Sequence, residues 1–187
     1  MKLRNQKSVL ILSLLVVFAV LAVGCSSNTN EQAKEDQTKY LSIATGGTSG
    51  TYYPIGGAMA KIINEKVGNL NASAQSTGAS VTNTRLISKE EVELAILQND
   101  IASYAFNGEN KFKDKAVKNM RGIATLYPEI IQIIVREGTG IEDIKDLKGK
   151  KVAIGAPGSG VEANAKQILA NFDLTYDDIE EDYLSFG

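Results

Sequence analysis

From residue 40 onward, short apolar runs alternate with stretches of helical period. Leu41 to Ala44 is an apolar run. After it, Ile55, Met59, Ile62 and Ile63 sit at i, i+4, i+7 and i+8. That spacing predicts a strand at about 40–45 and a helix over about 53–66 with those four residues facing inward. Residues 70–76 alternate weakly and predict a second strand. Gly78-Ala79-Ser80 opens a helix over about 80–88, with Ser80 as its N-cap. Val92 to Leu97 reads as a short strand, and a helix follows Gln98-Asn99-Asp100 to about 106. Residues 121–127 and 130–136 read as two apolar strands split by Pro128. Ile141 to Leu147 is a short helix closed by Gly149, Lys150 to Ile154 a strand, and Val161 to Asn171 a helix. Strands alternating with helices predict an α/β fold with mostly parallel sheets. Residues 172–187 are left as a tail in which Leu184 and Phe186 lack packing partners.

Two strand-to-helix connections stand out by composition. The first, GGTSGTYYP, is built of glycine and hydroxyl residues and holds no lysine, histidine or acid. A loop of this kind before a helix aims free backbone N–H groups at one point, which suits an anion. The second, GAPGSG at 155–160, repeats the arrangement. Two such loops on either side of the strands at 121–136 suggest two lobes facing across a cleft. They also suit plain turns of a single doubly wound sheet. Neither loop carries the Gly-Lys-Ser/Thr of a P-loop or a full G-x-G-x-x-G, so nucleotide binding has little support. Tyr52 and Tyr53 cannot both face inward on one helix, and one of them is expected to line the cleft.

The N-terminus speaks to location. Lys2, Arg4 and Lys7 precede an uncharged apolar run, Ser8 to Val23, of 16 residues. That is short of the roughly 20 a spanning helix needs, so residues 1–24 read as a signal peptide. The run ends Leu21-Ala22-Val23-Gly24-Cys25, which resembles a bacterial lipobox and makes Cys25 the expected lipidation site. An ordinary signal peptide with a chance cysteine is the other reading. Cys25 is the sole cysteine, so no internal disulfide can form. Residues 25–39 are polar and aperiodic and read as a tether.

Composition narrows the chemistry. Removing the three basic residues of the leader leaves 17 against 22 acidic residues, a net charge of −5. That argues against nucleic acid as a partner. There is no histidine, so histidine triads are ruled out. With a single cysteine, thiol enzymes and zinc sites find no support either. The acidic cluster Asp177, Asp178, Glu180, Glu181, Asp182 does not match a calcium-loop spacing and reads as a solvated helix start. No cofactor and no metal are expected.

The order GGTSGTYYPIGGAMA, STGASVTN, ELAILQND, DLKGKKVAIGAPGSGVE resembles the TAXI family of TRAP-transporter solute receptors. These are exported, two-lobed binding proteins with the type 2 periplasmic-binding-protein fold. The likeness runs from about Tyr40 to the end. Ser49 stands where threonine is common, and Ala79 where a second glycine is common. The resemblance implies a first lobe over 40–128 and an incomplete second lobe over 129–187, the family's chains continuing further. It implies capture of a small carboxylated solute, such as glutamate or a dicarboxylate, for integral-membrane partners driven by an ion gradient. By position it places ligand contacts at Thr48, Ser49, Thr51, Tyr52 and Tyr53 in the first loop. It places others at Thr77, Gly78, Ser80 and Asn83, at Gln98, Asn99 and Asp100, at Tyr127, and at Ser159 and Gly160. Arg85 and Arg136 are the nearest cations available to a carboxylate. A surface lipoprotein with an idle ligand site and an enzyme on the same fold remain alternatives.

Overall fold

A computed structural model describes residues 37–186. The expected signal peptide, Cys25 and most of the expected tether lie outside the described residues. Strand β1 (Lys39–Ala44) is the centre of a three-stranded sheet of order β2-β1-β3. Strand β2 (Leu70–Gln75) runs parallel to it along its full length, Lys39 opposite Leu70 through Ala44 opposite Gln75. Strand β3 (Leu94–Ala95) is also parallel and pairs only with Ile43 and Ala44. A second sheet holds β4 (Lys151–Ala153) and β5 (Glu180–Asp182), again parallel. Parallel neighbours need a crossover, and helices supply it. Helix α1 (Tyr52–Lys66) joins β1 to β2, and α4 (Gly160–Asn171) joins β4 to β5. Helices α2 (Ser80–Ser88) and α3 (Asn99–Asn107) flank β3.

The α/β class with parallel sheets is therefore what the sequence pattern predicts. Three details differ. First, the centre of the α1 interface is not the bulky stripe. Tyr52, Gly56 and Ala60, at i, i+4 and i+8, are buried, and Ile55, Met59 and Ile63 flank them. Ile62 points outward, 59% exposed. A Cβ on Gly56 would lie 2.4 Å from Thr45 Cγ2, so a small residue is what lets α1 lie against the end of β1. Second, residues 121–136 form no strand. The β-branched composition is right, yet no strand among the described residues pairs with the segment, and Ile123, Ile130 and Ile134 stay largely exposed. A strand is a property of a pair, and propensity alone does not make one. Third, the tail is ordered in part. A 3-10 turn at Tyr176–Asp178 leads into β5, and Ile179 packs with Leu147, Ile154, Leu169 and Leu174 beneath the second sheet. The expected helix at 141–147 is a 3-10 turn, Ile144–Leu147, capped by Asp143 and Asp146. Strand β3 is likewise shorter than the six residues expected.

Helix α4 fastens the second sheet to the first. Ala163 enters a core made by Val81 of α2, Ile101 and Ala105 of α3, Phe112 and Val117. Around that apolar contact, the Thr82 N–H donates to Gly158 O at 3.0 Å and Tyr104 Oη donates to Gln167 Oε1 at 2.9 Å. Lys111 pairs with the buried Glu162, whose other carboxylate oxygen accepts from the Gly158 N–H at 3.0 Å. Among the described residues, no buried side-chain polar atom lacks a partner.

Candidate functional site

The carboxyl end of β1 and the N-terminal ends of α1, α2 and α4 face one cavity of about 1000 Å³. In open α/β sheets this is the side on which ligands sit. The glycine loop, through Gly46, Gly47, Ser49, Gly50 and Thr51, forms one wall. Ser159 and Gly160 border it as well, and so does the stretch from Tyr127 to Arg136.

The expected site residues separate into three groups. Ser49, Thr51, Tyr52, Ser80, Gln98, Tyr127, Ser159 and Gly160 line the cavity. Thr77, Gly78, Asn83 and Asp100 sit behind it and hold the loops in place. Asn83 is fully buried; its amide donates to Thr45 O at 2.6 Å and to Ile96 O at 2.7 Å, and its oxygen accepts from Thr77 Oγ1 at 2.5 Å. One side chain thus ties together the ends of β1 and of the β3 segment. Gly78 allows a close pass, since a Cβ there would meet Thr82 Oγ1 at 2.8 Å and Pro157 O at 2.9 Å. Thr48 and Asn99 are exposed, and Tyr53 is half-buried; none of the three borders the cavity. Of the two adjacent tyrosines, Tyr52 is the one that lines it.

A single hydrogen-bonded chain runs through the site. Asp100 Oδ2 accepts from Asn164 Nδ2 at 2.7 Å, and Asn164 Oδ1 accepts from Gln98 Nε2 at 2.9 Å. The Gln98 N–H donates to Ser80 Oγ at 3.1 Å, and Ser80 Oγ lies 3.4 Å from Tyr52 Oη. Tyr52 Oη donates to Glu129 Oε2 at 2.9 Å, and Tyr127 Oη donates to Glu129 Oε1 at 3.2 Å. Because the Tyr52 proton goes to Glu129, Ser80 is the donor to Tyr52. Burial raises the Tyr52 hydroxyl well above the ordinary tyrosine range, reinforced by the Glu129 charge. Burial first, then the same charge, pushes Tyr127 up to about 12. Both hydroxyls therefore remain donors at neutral pH.

Two hydroxyls and one amide have structural uses. Ser80 is the first residue of α2 and does not cap it; Ala79 holds the N-cap position at φ 68°, ψ −148°. The Ser80 hydroxyl serves Gln98 and Tyr52 instead. Ser159 caps α4, its Oγ accepting from the Glu162 N–H at 3.0 Å. In the first loop, the Ser49 N–H donates to Phe186 O at 2.7 Å, and the Phe186 side chain packs on Gly47 and Gly50. Arg85 lies exposed on the last turn of α2, away from the cavity, whereas Arg136 borders it.

Sequence reasoning missed Glu129, Asn164 and Glu162. Glu129 had a signal: it is the one acid in the apolar stretch 121–135, directly after Pro128. Asn164 and Glu162 had none, since each is defined by partners about 50 to 66 residues away. Among the described residues, no three His, Cys, Asp or Glu side chains converge on a point that would hold a metal ion. Asp178 and Asp182 of the acidic cluster instead pair with Lys148 and Lys151, each at 3.1 Å.

Comparison with known proteins follows from this geometry. The family model described as the NMT1-like family matches residues 43–187. Among solved structures, the alkanesulfonate-binding protein SsuA from Xanthomonas axonopodis pv. citri, bound to MOPS, is similar at 17% identity and a TM-score of 0.51. That match covers 80% of this chain and 48% of the other. The periplasmic aliphatic sulphonate binding protein SsuA from Escherichia coli is 18% identical over 79% of this chain and 47% of its own, with a TM-score of 0.45. The chain thus spans about half the length of these solved structures. At 17% identity the likeness to the first of them is one of fold alone.

Proposed function

The chain belongs to the NMT1-like family, and from that premise we propose that it is an extracytoplasmic solute-binding protein. In this reading it captures a small carboxylated solute, glutamate-like or dicarboxylate-like, and hands it to the membrane subunits of an ion-gradient-driven TRAP transporter. A lipid on Cys25 holds it at the membrane surface. In this reading it binds its solute and releases it chemically unchanged.

One observation carries the reading. The loop before α1, the start of α2, the Gln98 N-cap of α3 and the start of α4 all border the same cavity. Helix N-termini present N–H groups and the positive end of the helix dipole, which together favour an anionic group. A solute carboxylate entering the first loop takes the Ser49 N–H that now donates to the Phe186 carbonyl, and Ser49 and Thr51 border the same cavity. Each such charge-assisted bond contributes about 1.5–3 kcal/mol.

Native mass spectrometry of the purified protein, seeking a co-purified small acid, tests the class of solute. Calorimetry on Ser49→Ala and Thr51→Ala then tests the place. A loss of roughly tenfold or more in affinity is expected for each. Unchanged affinity in both moves the site elsewhere in the molecule. For the anchor, Cys25→Ser is expected to release the protein from the membrane fraction or leave the leader uncleaved.

A further inference from the structure

The exposed side chain of Glu129 lies on the cavity lining. Each of its oxygens takes one tyrosine hydroxyl, Tyr52 at 2.9 Å and Tyr127 at 3.2 Å. One donor comes from α1 and the other from the extended segment that carries Glu129 itself. Two bonds fix the carboxylate, yet they use only two of its roughly four acceptor directions. The remaining capacity faces the cavity, which Glu129 borders. Among the described residues, no cation balances it. The ion pairs among the described residues are Lys61–Glu65, Lys89–Glu91, Lys111–Glu162, Lys148–Asp178 and Lys151–Asp182, and Glu129 is in none of them. Of the basic residues bordering the cavity, Lys151 is engaged with Asp182, and neither it nor Arg136 is within ion-pair distance of Glu129.

A negative group held by two neutral donors on the lining of a ligand cavity, with no ion-pair partner among the described residues, selects by charge. It repels an acid placed against it and attracts a group that brings both positive charge and N–H donors. We propose that Glu129 is the specificity-determining residue of this site, and that it receives an ammonium group on the solute. The inference rests on the solute-binding reading above and narrows it: the solute is an amino acid bearing a carboxylate for the glycine loop and an ammonium for Glu129. A plain dicarboxylate of the same length is the wrong charge at that end. Tyr52 and Tyr127 are positioning residues, acting through Glu129. The burial that raises both hydroxyls keeps them protonated donors over the range in which an amino acid stays zwitterionic.

The test uses two probes with the same five-carbon skeleton, L-glutamate and glutarate, titrated calorimetrically into the wild-type protein and into Glu129→Gln and Tyr127→Phe. Wild type is expected to prefer glutamate at least tenfold. Glu129→Gln is expected to weaken glutamate at least tenfold while leaving glutarate unchanged or tighter, so that the preference collapses. Tyr127→Phe, which keeps the carboxylate and removes one of its two supports, is expected to narrow the preference several-fold without moving glutarate. Binding of both probes with equal affinity, or an unaltered preference in Glu129→Gln, overturns the ammonium assignment and leaves the carboxylate site standing. Binding of neither probe to wild type overturns both.

Discussion

Gly160 and Gln98 approach so closely that a methyl group on Gly160 would lie 1.2 Å from Gln98 Oε1. The first residue of α4 and the N-cap of α3 are thus in contact with no room for a side chain. Gly160→Ala must push Gln98 aside and break its 2.9 Å bond to Asn164. Overpacking of this kind costs about 1–3 kcal/mol, and the lost bond adds about 1 kcal/mol. Urea denaturation is expected to show that loss in Gly160→Ala, with part of it recovered in Gly160→Ala/Gln98→Ala. A double variant no better than the single one shows that the clash is not with Gln98.

Asn83 is expected to be among the most sensitive polar positions. Asn83→Ala leaves Ile96 O without the donor that now reaches it at 2.7 Å, and takes from Thr45 O the donor at 2.6 Å while Thr77 Oγ1 stays at 3.0 Å. Leaving a buried acceptor unsatisfied costs about 1–3 kcal/mol. A loss of about 2 kcal/mol in chemical denaturation is the expected outcome, and a loss under about 1 kcal/mol contradicts the clamp role.

Ala79 sits in a backbone region that glycine adopts freely and alanine does not, at a cost of about 1–3 kcal/mol. Ala79→Gly relieves that strain. Against it stand the loss of a buried methyl, about 0.8 kcal/mol, and the greater freedom of unfolded glycine, about 0.5–1 kcal/mol. The result is expected to be near neutral. Ala105→Gly, also buried but inside helix α3, has no strain to relieve and is expected to cost about 1.5 kcal/mol by the same two terms. Equal losses in the two variants contradict the strain argument.

The tyrosines give the protein an alkaline limit. Burial raises Tyr52, Tyr127 and Tyr176 above their ordinary value of 10.0, Tyr127 and Tyr176 to about 12. Above pH 10 the unfolded chain loses these protons while the folded one keeps them. Folded stability is therefore fully present below about pH 10 and falls as pH rises through 12, with Tyr52 continuing to the highest pH. At the acid end, Asp146 and Asp178 are held below 3.8 chiefly by backbone N–H donors. Their contribution is present above that value and is lost as pH falls below it. Tyrosinate absorbance at 295 nm checks the alkaline limb; a full titration of all tyrosines near pH 10 in the folded protein contradicts it.

Much of the fold was legible. The helices over 52–66, 80–88, 99–107 and 160–171 follow from apolar spacing and from the glycine or hydroxyl residues at their starts. Residues 121–136 misled because their pattern is local, whereas a strand exists only beside a partner. In the site, the hydroxyl loop and the glycines of the second loop stood out because few uses suit them. Glu129 did not, although it is the one charged side chain between Tyr127 and Arg136. Its meaning comes from Tyr52, 77 residues away, and from the absence of a cation beside it among the described residues. Ser80 and Ser159 show the converse: their type suggested ligand contact, and their hydroxyls also serve Gln98, Tyr52 and the start of α4.

The central claim is that one solute bridges the glycine loop, the start of α2 and the start of α4. Hydrogen exchange followed residue by residue, with and without saturating L-glutamate, tests it most directly. Amides of residues 46–51, 80–82 and 158–161 are expected to slow together, each by tenfold or more. Protection confined to one of these segments, or binding that protects none of them, contradicts the account.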